Sequence, residues 1–175
     1  MDAISVEPVL RVAVADDAGV IAAIYNESVA VGDASMDDDP KRAEDVRRTL
    51  AGFGERELVL LLVVPPGSGG DEEVLGWGML KRYSDRNGYR FAAETTVYLR
   101  RSQTGRGYGA RLGEALIERA QRHGYHHLVA KILADNEASM GLHRKLGYEL
   151  VGVQRAIGYR DGRWRDVAIL ALVLD

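Results

Sequence analysis

The stretch QTGRGYGARLGEAL, residues 103–116, carries four glycines within nine positions and then continues with a helical apolar pattern. A glycine inside a helix costs about 0.5–1 kcal/mol relative to alanine, so this spacing needs a reason. Backbone N–H groups at a helix N-terminus bind phosphate, because they lack partners and the helix dipole favours negative charge there. The N–H groups of residues 105–110, here named the glycine loop, are therefore candidates for phosphate binding. A glycine-rich turn without a ligand is the alternative.

Two phosphate ligands can be considered for the glycine loop. Its residues fit the G-x-G-x-x-A fingerprint of dinucleotide-binding folds, but that fingerprint follows the first strand and has an acidic residue about 20 positions later. Here the loop follows the fourth predicted strand, and the next strand ends near Asp135, about 30 positions after Gly105. Coenzyme A fits better, because its extended pantetheine arm could follow the edge of the preceding strand, TTVYL. The predicted contacts are Val97, Tyr98, Leu99, Gly105, Arg106, Gly107, Tyr108, Gly109 and Ala110.

Glu94 is a titratable side chain that could transfer protons. It interrupts the otherwise apolar strand FAAETTVY, and a carboxylate there can accept a proton directly or through a water molecule. The structural alternative is a solvent-facing strand glutamate. The chain has no cysteine, which excludes disulfides, thiolate zinc sites and a cysteine nucleophile.

The pattern of apolar residues predicts elements in the order β-α-α-β-β-β-α-β-α-β-β. The first strand is predicted over residues 9–15. The second helix is predicted to begin with Asp39 as N-cap and Pro40 in its first turn. Residues 57–64, ELVLLLVV, form a continuous apolar run, which predicts a strand buried on both faces.

The connections complete this prediction. Residues 65–73, PPGSGGDEE, indicate an exposed hairpin loop, and RDGR at residues 160–163 indicates the turn of a closing hairpin. Asn136 is the predicted N-cap of the short last helix, and Gly147 follows that helix. The alternation of strands and helices in the second half makes part of the sheet parallel. We expect a single α+β domain over residues 1–175, built on a mixed central sheet.

The composition of the chain narrows the possible classes of function. The chain has 175 residues, a formal net charge of -3 and a sequence pI near 5.8, so no global basic field points to nucleic-acid binding. Residues 1–10 lack the pattern of a signal peptide, and no apolar run approaches the ~18 residues of a membrane span. The histidines at 123, 126 and 127 point to no metal site, since the adjacent pair alternates between faces. We therefore expect a cytoplasmic protein with no metal and no membrane partner.

Four motifs in order resemble the GNAT superfamily of acetyl-CoA-dependent N-acetyltransferases, and in particular its phosphinothricin and methionine sulfoximine acetyltransferase branch. They are AAETTVYL, GRGYGARL, NEAS with LHRKLGY, and DGRWRDVAILAL. With RVAVADDAGVIAAIYNESV near the N-terminus, the resemblance covers nearly the whole chain. It implies a GNAT-type mixed sheet and direct acetyl transfer, in a ternary complex, to the amine of a small amino acid or analogue such as phosphinothricin, methionine sulfoximine or methionine sulfone.

The resemblance also implies roles for individual residues. Glu94 matches the proposed general base and His143 an acid for the departing thiolate. A histidine with an unperturbed pKa of about 6.5 exchanges protons near neutral pH, and a helix-surface histidine is the structural alternative for His143. Asn136 would contact the pantetheine and Ser139 the adenosine end of the coenzyme. The superfamily motif carries Gln or Arg where this chain has Thr104, so Arg106 is the candidate to supply the missing side-chain donor. Acceptor contacts are implied for Arg86, Tyr89 and Met36.

Alternatives remain at this point. A coenzyme A-binding domain without turnover is one, although the presence of both Glu94 and His143 argues against it. A dinucleotide-binding oxidoreductase is another. Relatives of this kind are often homodimers, and the apolar run VAILALVL in the closing hairpin could serve an interface.

Overall fold

The computed structural model describes residues 7–66 and 71–175. The described strands form one seven-stranded sheet, with α-helices packed on both faces. The predicted fold class and the predicted order of elements are both confirmed. The elements are β1 Val9–Val12, α1 Ala18–Val31, α2 Ala43–Ala51, β2 Leu58–Val64, β3 Glu73–Arg82, β4 Ala92–Leu99, α3 Tyr108–Arg122, β5 His127–Leu133, α4 Glu137–Lys145, β6 Glu149–Arg160 and β7 Arg163–Val173.

The sheet order is β1-β2-β3-β4-β5-β7-β6, and β4 and β5 are its parallel neighbours. All other described pairs are antiparallel. The parallel pairing covers only the residue pairs from Ala92 opposite His127 to Glu94 opposite Val129. Beyond Glu94 the two strands leave each other, so the predicted parallel part of the sheet is this short junction.

Strand β2 supports a hydrophobic core on each face of the sheet. Leu60 and Leu62 belong to the core under α3 and α4, and Leu61 and Val63 belong to the core under α1 and α2. All four are at most 1% exposed, and burial of such a side chain contributes about 1.5–3 kcal/mol. The prediction of a strand buried on both faces is therefore confirmed.

Helix α2 begins later than the sequence indicates. Its first residue is Ala43, so the predicted start with Asp39 as N-cap and Pro40 in the first turn is wrong. The Lys41 N–H donates to Asn26 Oδ1 at 2.8 Å, and Asn26 Nδ2 donates to the Lys41 carbonyl at 2.8 Å. These two hydrogen bonds hold the backbone of Lys41 against α1, so α2 begins only after this residue.

The turn between β6 and β7 agrees with the sequence prediction. Asp161 and Gly162 have φ values of 52° and 74°, as the RDGR prediction requires.

Strand β1 is shorter than predicted, because residues 15–17 form a 3-10 turn. Of the predicted hairpin loop, residues 67–70 lie outside the described part of the chain. No helix in the described residues combines the length and apolarity needed to cross a bilayer.

Candidate active site

The parting of β4 and β5 opens a cavity of about 90 Å³, here named the cleft. Its walls are the unpaired halves of the two strands, and α4 borders it. Strand backbone without a neighbour offers N–H and C=O groups to an extended ligand that contains amides, as pantetheine does. The predicted contacts Val97 and Tyr98 line the cleft, whereas Leu99 packs into the core beside α3. The complete lining is Ala34, Thr95, Thr96, Val97, Tyr98, Ala130, Lys131, Ile132, Leu133, Asn136, Ser139 and His143.

The glycine loop has the geometry of an anion site. Gly105 and Gly107 have φ values of 75° and 80°, and a Cβ added at either would meet nothing within 4 Å. Across the described residues, no hydrogen-bond acceptor is found for the N–H groups of residues 105–110. The first bond of α3 runs from the Arg111 N–H to the Gly107 carbonyl at 3.1 Å. Open space and unpaired donors fit a bound diphosphate.

Packing explains the two later glycines of this stretch. A Cβ on Gly109 would lie 3.1 Å from Leu142 Cδ2, and a Cβ on Gly113 would clash with Leu146 Cδ1. Both glycines therefore let α3 approach α4 closely. Gly105 and Gly107 therefore meet backbone needs of the loop, and Gly109 and Gly113 meet packing needs between the helices.

Ion pairs anchor the segment before the glycine loop to α1. Glu27 accepts a hydrogen bond from the Arg101 N–H at 2.7 Å and pairs with Arg100 at 3.2 Å. Thr104 Oγ1 donates to the Arg101 carbonyl at 3.0 Å, so this hydroxyl closes a turn. Arg106 is exposed at the loop itself. Thr104 thus shapes the chain entering the loop, and Arg106 remains the candidate donor for a ligand.

Asn136 caps α4 and ties it to the connection between α1 and α2. Its Oδ1 accepts from the Ser139 N–H at 3.0 Å, which confirms the predicted N-cap. Its Nδ2 donates to the Asp33 carbonyl at 3.1 Å. The side chain is thus engaged at both ends while it lines the cleft. Asn136 holds a wall of the cleft in place, in addition to any contact with a ligand.

His143 lies in the cleft as a buried ring, 5% exposed. Its Nδ1 is 2.9 Å from the Ser139 carbonyl oxygen, which can only accept, so the neutral ring carries its proton on Nδ1. Burial lowers the pKa of His143, although the bond to Ser139 opposes this shift. The neutral ring can accept a hydrogen bond at Nε2 but cannot donate one there.

Glu94 occupies the last parallel pair of the sheet and forms an ion pair across the gap. Its Oε2 lies 2.8 Å from Lys131 Nζ on β5, and both side chains are partly exposed. The Lys131 Nζ also lies 5.9 Å from the ring centroid of Tyr83. Sequence analysis missed Lys131. Its signal is that it is the one charged residue among the apolar positions of HLVAKIL.

A second cavity of about 240 Å³ lies between the sheet and helices α1 and α2. Thr96 and Tyr98 of β4 line both this second cavity and the cleft. Burial raises the pKa of Tyr98 to about 12 and keeps its hydroxyl neutral. Aromatic and aliphatic side chains dominate the wall, and Lys41 and Thr49 add polar groups. The full lining is Ile21, Tyr25, Lys41, Val46, Thr49, Leu50, Val59, Trp77, Met79, Thr96 and Tyr98.

The residues expected to contact an acceptor lie in different places. Arg86 and Tyr89 are exposed in the connection between β3 and β4, and neither lines the cleft or the second cavity. Tyr89 packs edge-on against Tyr83, with ring centroids 5.6 Å apart, and it is Tyr83 that lies 5.9 Å from Lys131 Nζ. Met36 packs on Gly158 of β6 instead.

Two buried arginines fasten the connection between α1 and α2 to the β6–β7 hairpin. Arg160, with a side chain 4% exposed, donates to the Ser35 carbonyl at 2.6 Å and to the Val29 carbonyl. Arg165 donates to the Gly32 carbonyl at 3.2 Å and pairs with Asp135. This connection contributes Ala34 to the cleft, so the arginines fix the position of one wall.

Comparison with known proteins decides the family. Residues 10–169 match the acetyltransferase (GNAT) domain. The chain belongs to the GNAT acetyltransferase family. It is 38% identical over 164 residues to an L-methionine sulfoximine/L-methionine sulfone acetyltransferase of Pseudomonas aeruginosa, covering 93% of this chain and 91% of that protein. It is 32% identical to a phosphinothricin N-acetyltransferase of Alcaligenes faecalis, covering 92% and 80%.

A solved structure of this GNAT family agrees with the fold. The phosphinothricin acetyltransferase from Sinorhizobium meliloti, crystallised in complex with AcCoA, superposes with a TM-score of 0.86 at 30% identity, covering 95% of this chain and 88% of that one. The predicted resemblance is confirmed, and the protein is an N-acetyltransferase with acetyl-CoA as its co-substrate. The dinucleotide-binding alternative is thereby set aside.

The first prediction concerns the glycine loop. Gly107→Val places a side chain in the open space next to the unpaired N–H groups, and loss of one charged hydrogen bond alone is worth about 1.5–3 kcal/mol. We expect acetyl-CoA to bind at least about tenfold more weakly in isothermal titration calorimetry.

The matched control is Gly124→Val at the other end of α3. Gly124 has φ 73° and the same open space, so both variants carry the same backbone strain, about 1–3 kcal/mol. Gly124→Val should lose stability but bind acetyl-CoA normally. Equal affinities in the two variants would contradict the assignment of the loop.

The second prediction concerns His143. Because burial lowers its pKa in the folded state, the unfolded chain binds more protons below pH about 6.5, and stability falls as the pH decreases through this range. In urea unfolding between about pH 7 and pH 5, the native protein should lose stability more steeply than His143→Gln, by at most about 1.4 kcal/mol per pH unit. Parallel profiles would show that His143 is not buried as a neutral ring.

Proposed function

We propose that this enzyme transfers the acetyl group of acetyl-CoA to the primary amine of a small amino acid or amino-acid analogue, of the methionine sulfoximine, methionine sulfone or phosphinothricin type. The names of the relatives support this acceptor class. The chain has no cysteine, so direct transfer in a ternary complex is favoured over an acetyl-cysteine enzyme. The location in the cytoplasm and the single domain over residues 1–175 stay predictions from the sequence.

The observation that carries the proposal is that Thr96 and Tyr98 line both the cleft and the second cavity. An acceptor in the second cavity would meet a co-substrate in the cleft at this point of β4. Ternary-complex transfer requires such a junction, because the two reacting groups must touch while both substrates are bound.

Several groups are suited to hold the co-substrate, which supplies an electrophilic thioester carbonyl when bound. The N–H groups of the glycine loop would hold the diphosphate, with Arg106 as a side-chain donor. The unpaired backbone of Val97 and Tyr98 would hold the pantetheine arm. Asn136 and Ser139 would border it from α4.

Glu94 is the proposed general base. An amine that is protonated at neutral pH must lose a proton before it can attack, and a carboxylate is the group to receive it. Glu94 stands at the point where β4 and β5 part, with one oxygen held by Lys131. This bond fixes the carboxylate and leaves its other oxygen for the acceptor.

The geometry favours a positioning role for His143 over proton donation. In its neutral form the ring donates from Nδ1 to Ser139 and offers only an acceptor at Nε2. We propose that this acceptor orients a hydrogen-bond donor in the cleft. Donation of a proton from Nε2 would need the charged ring, which burial disfavours.

Recognition of the acceptor is proposed to use the connection between β3 and β4. Arg86 could bind a carboxylate or phosphinate of the acceptor, and Tyr89, packed on Tyr83, would form a wall near Glu94. Met36 lies against the β6–β7 hairpin and would act through the shape of the α1–α2 connection.

We also propose that the enzyme is a homodimer joined through the β6–β7 hairpin. Strand β6 is an edge strand of the sheet, and an exposed edge with apolar side chains favours pairing with another chain. The exposed apolar residues of the hairpin are Leu150, Val151, Val153, Ile157, Tyr159, Trp164 and Val173.

The third prediction tests Glu94. Glu94→Gln keeps the shape of the side chain but removes the base, so turnover at about pH 7 should fall by about 10²–10⁴ and recover in part at high pH, where more of the amine is neutral. Thiol release from acetyl-CoA, with methionine sulfoximine, methionine sulfone and phosphinothricin as acceptors, measures this.

Glu149→Gln is the control, because Glu149 is an exposed strand glutamate on β6. Its stability should shift by less than about 0.5 kcal/mol and its rate should stay unchanged. A near-normal rate for Glu94→Gln with saturating acceptor would reject the base assignment. No thiol release by the native enzyme with any acceptor would reject the acceptor class.

The fourth prediction tests the homodimer. Trp164 is 66% exposed on β7, and Trp164→Glu would place a charge in the proposed interface. The native enzyme should sediment as a dimer in analytical ultracentrifugation and the variant as a monomer. Val9→Glu is the control, since Val9 is 44% exposed at the opposite edge of the sheet. A monomeric native enzyme would contradict the proposal.

A further inference from the structure

The four lysines of the chain differ in their position relative to the cleft. Of these, Lys131 lines the cleft. Lys41 lines the second cavity, and Lys81 lies opposite Glu94 in the β3–β4 ladder without lining either space. Lys145 is exposed in the last turn of α4.

The surroundings of Lys131 are those proposed for an acceptor amine. Its Nζ is a primary amine, and it lies 2.8 Å from Glu94 Oε2, the oxygen of the proposed base. Nearly half of its side chain is exposed, so the amine can move within the cleft. A protein amine therefore stands beside both the base and the space in which the thioester is proposed to bind.

We propose that Lys131 is an internal acetyl acceptor, and that the enzyme acetylates its own Lys131 Nζ when no external amine occupies the site. The proposal rests on the proposed function, because it uses the same thioester and the same base. Lys131 would compete with the external amine for the carboxylate of Glu94.

The reaction balances without another reagent. Glu94 takes one proton from the Lys131 ammonium and passes it to solvent. A bond forms between Nζ and the acetyl carbon as the carbon–sulfur bond of the thioester breaks. The second proton lost from the nitrogen ends on the departing sulfur, so coenzyme A leaves as a thiol. The product is an amide, N-acetyl-lysine, and no electrons are gained or lost.

The modification would alter the charge of the site. An amide nitrogen carries no charge, so the ion pair between Lys131 and Glu94 would be lost. Both oxygens of the Glu94 carboxylate would then be available to the ammonium of an external acceptor. Acetylation of Lys131 would thus remove the internal amine that competes with the substrate for the base.

Lys41 is an internal control supplied by the chain. It forms an ion pair with Asp37 at 3.0 Å, and its side chain is 43% exposed, against 48% for Lys131. The two lysines therefore match in exposure and in having a carboxylate partner. They differ in the space that they line. A reaction that depends on the cleft should therefore acetylate Lys131 and leave Lys41 unmodified.

The experiment is incubation of the purified native enzyme with acetyl-CoA and no external amine, followed by intact-mass measurement and peptide mapping. We expect one acetyl group per chain on Lys131, while Lys41, Lys81 and Lys145 remain unmodified over the same period. An added acceptor amine should slow the modification. Glu94→Gln should slow it by about 10²–10⁴, the usual contribution of a general base.

One variant and one unfolded sample separate a directed reaction from chemical acetylation. Lys131→Arg keeps the positive charge but should show no acetylation at position 131 or elsewhere. The heat-unfolded native chain shows the uncatalysed rate, which should be similar for all four lysines. Equal modification of Lys41 and Lys131 in the folded enzyme, or an unmodified Lys131, would overturn the proposal.

The outcome can be told apart from a failure of the proposed function. Thiol release with an external acceptor is measured on the same preparation. Normal release with no acetyl group on Lys131 would reject internal acetylation and leave the proposed function standing. Acetylation of Lys131 without release by any external amine would support the internal reaction and reject the proposed acceptor class.

Discussion

The parting of β4 from β5 after a single short run of parallel pairing is the constraint on which the rest of the structure depends. Backbone N–H and C=O groups inside a protein need partners, and two strands that leave their ladder expose a row of them. The sheet tolerates this because β3 still pairs with β4 and β7 still pairs with β5 along the outer edges. The free inner edges line the cleft, and we propose that they hold the amides of acetyl-CoA while the N-terminus of α3 holds its diphosphate.

The elements around the cleft keep it open. The α1–α2 connection borders the cleft, and it is held from the side of the β6–β7 hairpin by Arg160 and Arg165 and from α4 by Asn136. A buried guanidinium is stable only when its donors are satisfied, and here backbone carbonyls and nearby carboxylates satisfy them. The shape of the cleft is therefore set by polar contacts between segments that lie far apart in the chain.

The second cavity, in which we propose that the acceptor binds, is built from a different kind of contact. The second cavity is largely aromatic and aliphatic, and the ring of Tyr98 packs against those of Tyr25 and Trp77 at centroid distances of about 5 Å. Lys41 is the charged residue in its lining. A pocket of such low polarity suits a small acceptor with a short side chain.

The sequence by itself determined the element order, the family, the glycine loop and the N-cap at Asn136, because each depends on local spacing or on backbone needs of neighbouring residues. It also singled out Glu94 and His143 as candidates. It placed the start of α2 wrongly, since the Asn26–Lys41 contact joins residues on different elements. Only the tertiary structure decided that Lys131 faces Glu94, that Gly109 and Gly113 serve packing against α4, and that His143 is a buried neutral ring. These facts depend on which strands and helices become neighbours, and a distance across β4 and β5 is not encoded in the spacing of either strand.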